Sequence, residues 1–179
     1  MSDSKQNKKV INYLKTQTKE ELIDLILKFA PQSFFDSINS QFASKNQAQV
    51  IFRDVSIEID KLLADEITLY DPNKFERELL KHLETIRGLW DKLPEEIGEK
   101  LIQIMEDIEE LFEEGYLYSN NYHKEDEYFE SEEVDEYIYR FANNLPEEMK
   151  YNYLAKLKDI LNKYSFSTFD SLEKKISRH

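Results

Sequence analysis

The residues best placed to do chemistry are carboxylates. Glu110 and Glu113 stand three positions apart, and so do Glu132 and Asp135. Three positions is close to one helical turn, so each pair shares a face, and hard carboxylate oxygens in that arrangement suit Mg²⁺. Two such pairs on adjacent helices would hold a cation against a chain of phosphates. The spacing is common here, because residues 91–136 carry 18 acidic side chains against 3 basic ones. Glu106 with Glu109, Glu130 with Glu133, and Glu133 with Glu136 repeat it, and no cluster of Lys or Arg lies near to hold phosphates. A solvated acidic face is the simpler reading.

Other chemistries find little support. With no Cys, disulfides, thiolate zinc sites, iron–sulfur clusters and a cysteine nucleophile are excluded. His82 and His123 each lack a second imidazole at helical spacing, so neither marks a transition-metal site, and His179 is terminal. No serine elbow, glycine-rich phosphate loop or HExxH motif is present. No catalytic residue and no cofactor are expected.

The acidic block is also rich in tyrosine, with Tyr116, Tyr118, Tyr122, Tyr128, Tyr137 and Tyr139. A phenol ring beside a carboxylate offers an arginine a π face and an ion pair together. Tyr116, Tyr118, Tyr122, Glu125, Asp126, Glu127, Tyr128, Glu130, Glu132 and Glu133 therefore form the candidate partner-binding set. The competing reading is that the rings fill gaps between helices and turn their hydroxyls to water.

The net charge of −13 arises almost wholly in this block. Such a field repels phosphate backbones and attracts basic proteins, so the expected partner is a protein with a basic surface, not nucleic acid. Nowhere do 18 apolar residues run together, and residues 1–14 lack the apolar stretch of an export signal. Neither a membrane span nor export is expected, and the cytoplasm is the expected location.

The elements that must position these groups read as helices throughout. Only 3 Gly and 4 Pro are present, while helix formers dominate. Residues 1–17 read as a flexible N-terminus and 18–177 as one all-α domain, its N-terminal helices spanning 18–64. Thr18 and Glu21 have capping-box spacing, and Pro31 stops the helix they open. Ser33 is placed to cap a second helix, and a third runs from about Lys45 to Ala64. Asp71-Pro72 caps the first helix of a hairpin over 72–115, whose second helix stops at Gly115. Residues 116–130 show no clean period and read as an acidic, tyrosine-rich loop. Ser131 is expected to cap a second hairpin over 131–164, and a last helix covers 168–177.

The two hairpins look like copies. Leu93-Pro94-Glu95-Glu96 recurs 52 residues later as Leu145-Pro146-Glu147-Glu148. At the same offset Ile86 and Leu89 match Ile138 and Phe141, while Ile97, Leu101, Met105, Ile108 and Phe112 match Met149, Tyr153, Leu157, Ile160 and Tyr164. A helix hairpin cannot bury its own apolar stripe and must stack on a neighbour. The expected architecture is an irregular helical repeat, an antiparallel helix-hairpin array of about 7–8 helices.

The run TKEELIDLILKFA over 18–30, the Phe34-x-x-x-Ile38 step after it, and the Leu-Pro-Glu-Glu hairpins resemble helical segments of bacterial proteins that accompany SWIM-type zinc fingers, and related helical-repeat proteins. The Cys-x-Cys and Cys-x-His elements of the finger are absent, so the resemblance implies a helical interaction region without zinc. The order of the two carboxylate pairs is similar to that of the all-α nucleotide pyrophosphohydrolases, which would imply Mg²⁺-dependent hydrolysis at Glu110, Glu113, Glu132 and Asp135. Three functions stay open. The first is a non-catalytic protein–protein interaction module, adaptor or accessory subunit. The second is an acidic inhibitor or immunity-type protein occupying a basic nucleic-acid-binding site. The third is the pyrophosphohydrolase.

Overall fold

The computed structural model describes residues 10–119, 127–164 and 168–177. The candidates Tyr122, Glu125 and Asp126, with His123 and His179, lie outside these residues, and Glu127 is described by its backbone alone. Over the described residues the fold is all-α, with one two-residue antiparallel ladder. Where the sequence predicts one domain from residue 18, the chain forms two compact units that divide between Asp36 and Ser37.

The first unit holds a helical segment at 10–15, inside the stretch expected to be flexible, and α1 (Lys19–Phe29). The capping box forms as its spacing predicts. The Thr18 N–H donates to Glu21 Oε2 at 2.8 Å and the Glu21 N–H donates to Thr18 Oγ1 at 3.2 Å. None of the residues of α1 is buried. After Ala30 and Pro31, α2 (Gln32–Phe42) opens one residue ahead of Ser33 and runs across the boundary.

The second unit begins its core with α3 (Lys45–Leu63), opened by a further capping box between Ser44 and Gln47. A short α4 (Glu66–Leu69), absent from the sequence reading, is capped by Asp65, whose carboxylate accepts from the Ile67 N–H and the Thr68 hydroxyl. Asp71 and Pro72 start α5 (Pro72–Arg87), and Pro94 starts α6 (Pro94–Glu113). In both helices the fixed φ of proline suits the first turn and its missing N–H leaves no donor unsatisfied there. The chain continues through β1 (Tyr118–Ser119) and β2 (Glu127–Tyr128) to α7 (Glu132–Asn144), α8 (Glu147–Lys163) and α9 (Asp170–Ile176). The stretch read as structureless thus carries a ladder that sets Tyr118 opposite Tyr128.

Within this unit α3 packs on α5 and α6, α5 packs on α7, α6 packs on α8, and α9 closes on α7 and α8. The apolar stripes meet in one core. Ile86, Leu89, Leu93, Ile97, Leu101, Met105 and Ile108 are all fully buried, as are Ile138, Phe141 and Leu157. Of the matched positions, only Phe112 and Met149 stay partly open. Each fully buried Leu, Ile or Phe contributes about 2 kcal/mol, which outweighs any difference in helix propensity along these segments.

The exit from α6 is held by two left-handed residues. Gly115 has φ +88°, the Tyr116 N–H donates to Leu111 O at 2.9 Å, and the Gly115 N–H donates to Phe112 O at 3.1 Å, a Schellman pair of bonds. Leu117, fully buried, has φ +60°, a conformation that strains a residue with a Cβ by about 1–2 kcal/mol. It is retained because its N–H donates to Leu69 O and its carbonyl accepts from the Phe129 N–H, both at 3.0 Å. A Cβ at residue 115 would meet nothing within 4 Å, so a substitution there is purely conformational. Gly115→Ala is expected to lower stability by about 1 kcal/mol, read from urea melts. Unchanged stability would mean that the α6 terminus does not depend on the left-handed residue.

Candidate protein-interaction site

Three residues of α5, Leu80, Glu84 and Arg87, repeat at i, i+4 and i+7 and so lie along one face. With Trp90 from the turn that follows, they form one wall of a cleft of about 500 Å³. The opposite wall is α7, which contributes Glu132, Glu133, Glu136, Tyr137 and Arg140, and Lys175 enters from α9.

Aromatic rings make the floor. Trp90 lies edge-on to Tyr137, with centroids 5.2 Å apart, and to Phe141 at 5.5 Å. The Trp90 indole N–H donates to Tyr137 Oη at 3.0 Å, and the Tyr137 hydroxyl donates onward to Leu83 O at 2.6 Å. Burial holds the Tyr137 phenol above its ordinary range, so it stays a neutral donor. The cluster joins the turn after α5 to α7, which fixes the width of the cleft.

The charges in the cleft fall into two groups. Arg87 Nη1 pairs with Glu84 at 3.3 Å, while Arg140 Nε and Lys175 Nζ both pair with Glu136 at 2.7 Å. These hydrogen bonds, from Lys175 first, hold the Glu136 carboxyl below the usual range. Glu132 and Glu133 are exposed, and among the described residues no cation pairs with them. Half-buried Glu76 is pushed up by its burial and then by the charges of Glu133 and Glu130. The rim of the cleft is therefore a region where negative charge is uncompensated.

Two of the candidate acids, Glu132 and Glu133, line the cleft together with aromatic residues, and those rings are Trp90 and Tyr137. Tyr118 and Tyr128 pair with each other across the ladder at 4.8 Å, and Tyr116 pairs with Tyr70 at 5.5 Å. The field of Glu66 raises the Tyr116 phenol. Tyr128 is half exposed, whereas Tyr116 and Tyr118 are partly covered. Trp90 carried no signal as a site residue in the sequence, where it reads as one more member of an apolar stripe.

The paired carboxylates proposed for Mg²⁺ are not brought together. Glu110 opens onto a different groove, with Asp60, Asp107 and Glu114, whereas Glu132 lines the cleft. Asp135 is fully buried, and its Oδ2 accepts from the Leu172 N–H at 2.9 Å. Among the described residues no three His or acidic side chains are grouped so as to hold a metal ion. His82 is half-buried and held below the usual histidine range, by burial first.

Ser131, expected to cap α7, does not do so; its hydroxyl donates instead to Thr168 O at 2.6 Å. Glu109, also buried, accepts from the Thr168 N–H at 3.0 Å and from the Thr168 hydroxyl at 2.6 Å. Buried acids on α6 and α7 thus hold α9 and Thr168, two residues ahead of it, and α9 in turn delivers Lys175 to the cleft.

The sequence matches no protein-family model, and neither the curated proteins nor the solved structures compared with it show a match.

Burial pushes the Asp135 carboxyl from its ordinary 3.8 up to about 6, against the opposing pull of the Leu172 N–H. A folded-state pKa above the unfolded one means that the folded chain binds the extra proton between about pH 4 and 6, so stability falls as pH rises through that window. The total is about 3 kcal/mol. Asp135→Asn keeps an acceptor for Leu172 and removes the buried charge. Its melting temperature is expected to gain on the native chain as pH rises from 4 to 7, and a constant difference between the two would refute this account of Asp135.

Proposed function

We propose that this chain is a non-catalytic protein-interaction module that holds a basic segment of another protein in the cleft between α5 and α7. The observation that carries this reading is the division of charge. The cleft's own cations are paired with Glu84 and Glu136, while Glu132 and Glu133 lie open beside Trp90 and Tyr137. An arginine or lysine entering there meets ring faces and two carboxylates at once.

The packing of α5 on α7 and of α6 on α8 supports a further element of this reading, in which the two Leu-Pro-Glu-Glu hairpins are stacked repeats and the cleft is the groove between their leading helices. Stacked helical repeats present such grooves to partners. The resemblance to helical regions that accompany SWIM-type zinc fingers points the same way.

The test is affinity capture from nuclease-treated host lysate with the native chain and with the E132Q/E133Q variant. A single protein retained by the native chain and lost by the variant is expected. Affinity for the purified partner should fall roughly fivefold per carboxylate, the equivalent of about 1 kcal/mol each, and more steeply at low salt. Equal retention by both forms removes the cleft from the interaction. If DNA displaces the captured partner, the chain covers a nucleic-acid-binding surface and acts as an inhibitor instead of an adaptor.

A further inference from the structure

The first unit presents an apolar surface that its own helices leave open. On α1 the apolar residues Leu22, Ile23, Leu25, Ile26, Leu27 and Phe29 sweep an arc of about 200° at 100° per residue. An arc that wide belongs to a helix enclosed by neighbours, yet Ile23, Ile26, Leu27 and Phe29 are 43–69% exposed. The segment at 10–15 adds four more large apolar residues, 38–56% exposed. Taking about 200 Å² for each whole residue, these eight leave about 800 Å² open, which is the area each partner contributes to a standard stable interface.

Charge selects the occupant. Residues 1–36 carry 6 basic and 5 acidic side chains, whereas residues 37–179 carry 18 and 32. Two copies of so acidic a chain repel each other over most of their surfaces, and the N-terminal unit is where that repulsion vanishes. Along α1 the acids Glu20 and Glu21 lie in the first turn and Lys28 in the last. At about 100° per residue Lys28 falls opposite the apolar arc, whereas exposed Lys19 falls within it at the N-terminal end. A parallel pair would oppose Lys19 of both copies, and an antiparallel pair sets each Lys19 toward the C-terminal end of the other helix, where a cation is favoured.

We propose that the first unit is a self-association surface, on which α1 of one chain packs antiparallel against α1 of a second copy about a two-fold axis. Two copies joined in this way present two acidic clefts, so a partner with repeated basic segments gains avidity without any new contact. The dimer itself does not depend on what the clefts bind.

Sedimentation velocity on the full chain between 1 and 100 µM tests the proposal. The native chain is expected at twice the single-chain mass, and I26E/F29E, which alters only exposed side chains, at the single-chain mass over the whole range. Lys19→Glu should weaken dimerisation about threefold to tenfold, whereas Lys28→Glu, on the far face of α1, should leave it unchanged. A native chain that stays monomeric at 100 µM, or an I26E/F29E variant that dimerises as before, overturns the proposal. A Lys19→Glu variant that dimerises as before overturns the antiparallel pairing. Loss of partner capture by E132Q/E133Q with an unchanged dimer keeps this inference separate from the proposed function.

Discussion

A Cβ placed on Gly98 would lie 3.3 Å from the ring of Tyr153 and 3.5 Å from that of Phe141. The bare backbone at this point sets how closely α6 approaches α8, because the Tyr153 ring would have to yield by a few tenths of an ångström to any side chain. From there the contacts run outward in sequence. Tyr153 lies edge-on to Phe141 at 5.3 Å, Phe141 to Trp90, and Trp90 to Tyr137, whose hydroxyl reaches the backbone of α5. Four helices are thus keyed to one another through four rings and one glycine. The width of the cleft is a consequence of that spacing, since its floor and one of its walls belong to the same chain of contacts.

The carboxylates of the acidic block divide by position into three kinds. Glu109 and Asp135 are buried. The Glu109 oxygens accept from the N–H and hydroxyl of Thr168, whereas Asp135 accepts from the Leu172 N–H through Oδ2 alone and its Oδ1 is buried without a hydrogen-bond partner among the described residues. Glu136 is half-exposed and holds two cations. Glu132 and Glu133 face the cleft. Buried acids held by N–H donors specify one docking of a helix, because any shift would break the bonds that offset their burial. Exposed acids without a cation leave the surface free to receive one. Neighbours in sequence therefore serve opposite ends, and Glu136 lies between them in role as in exposure.

Helix starts were legible wherever the signal was local. Thr18 with Glu21, Asp71 with Pro72, and Leu93 with Pro94 act over three or four residues, and each forms as its spacing predicts. Gly115 was legible for the same reason, since a left-handed terminus depends on one residue. What stayed hidden was long-range. Ser131 carries the sequence mark of a cap but gives its hydroxyl to Thr168, 37 residues away. Asp135 carries the mark of a ligand but serves Leu172, also 37 residues away. Composition set the acidic block apart, yet periodicity could not tell a cleft-facing acid from a buried one, because α7 carries charges on both sides of its apolar stripe. Four-residue α4 was missed because one turn is too short to show a period.

Trp90 is the single tryptophan of the chain, and its indole N–H is tied to Tyr137 at the seam between α5 and α7. The chain's long-wavelength fluorescence therefore originates at one point, where the apolar core meets the charged cleft. An indole held by a phenol oxygen and packed edge-on to two rings emits from an environment that changes as soon as water reaches the seam. The protein thus carries an unlabelled optical gauge of how tightly α5 and α7 are closed on each other, placed at the floor of the cleft between them.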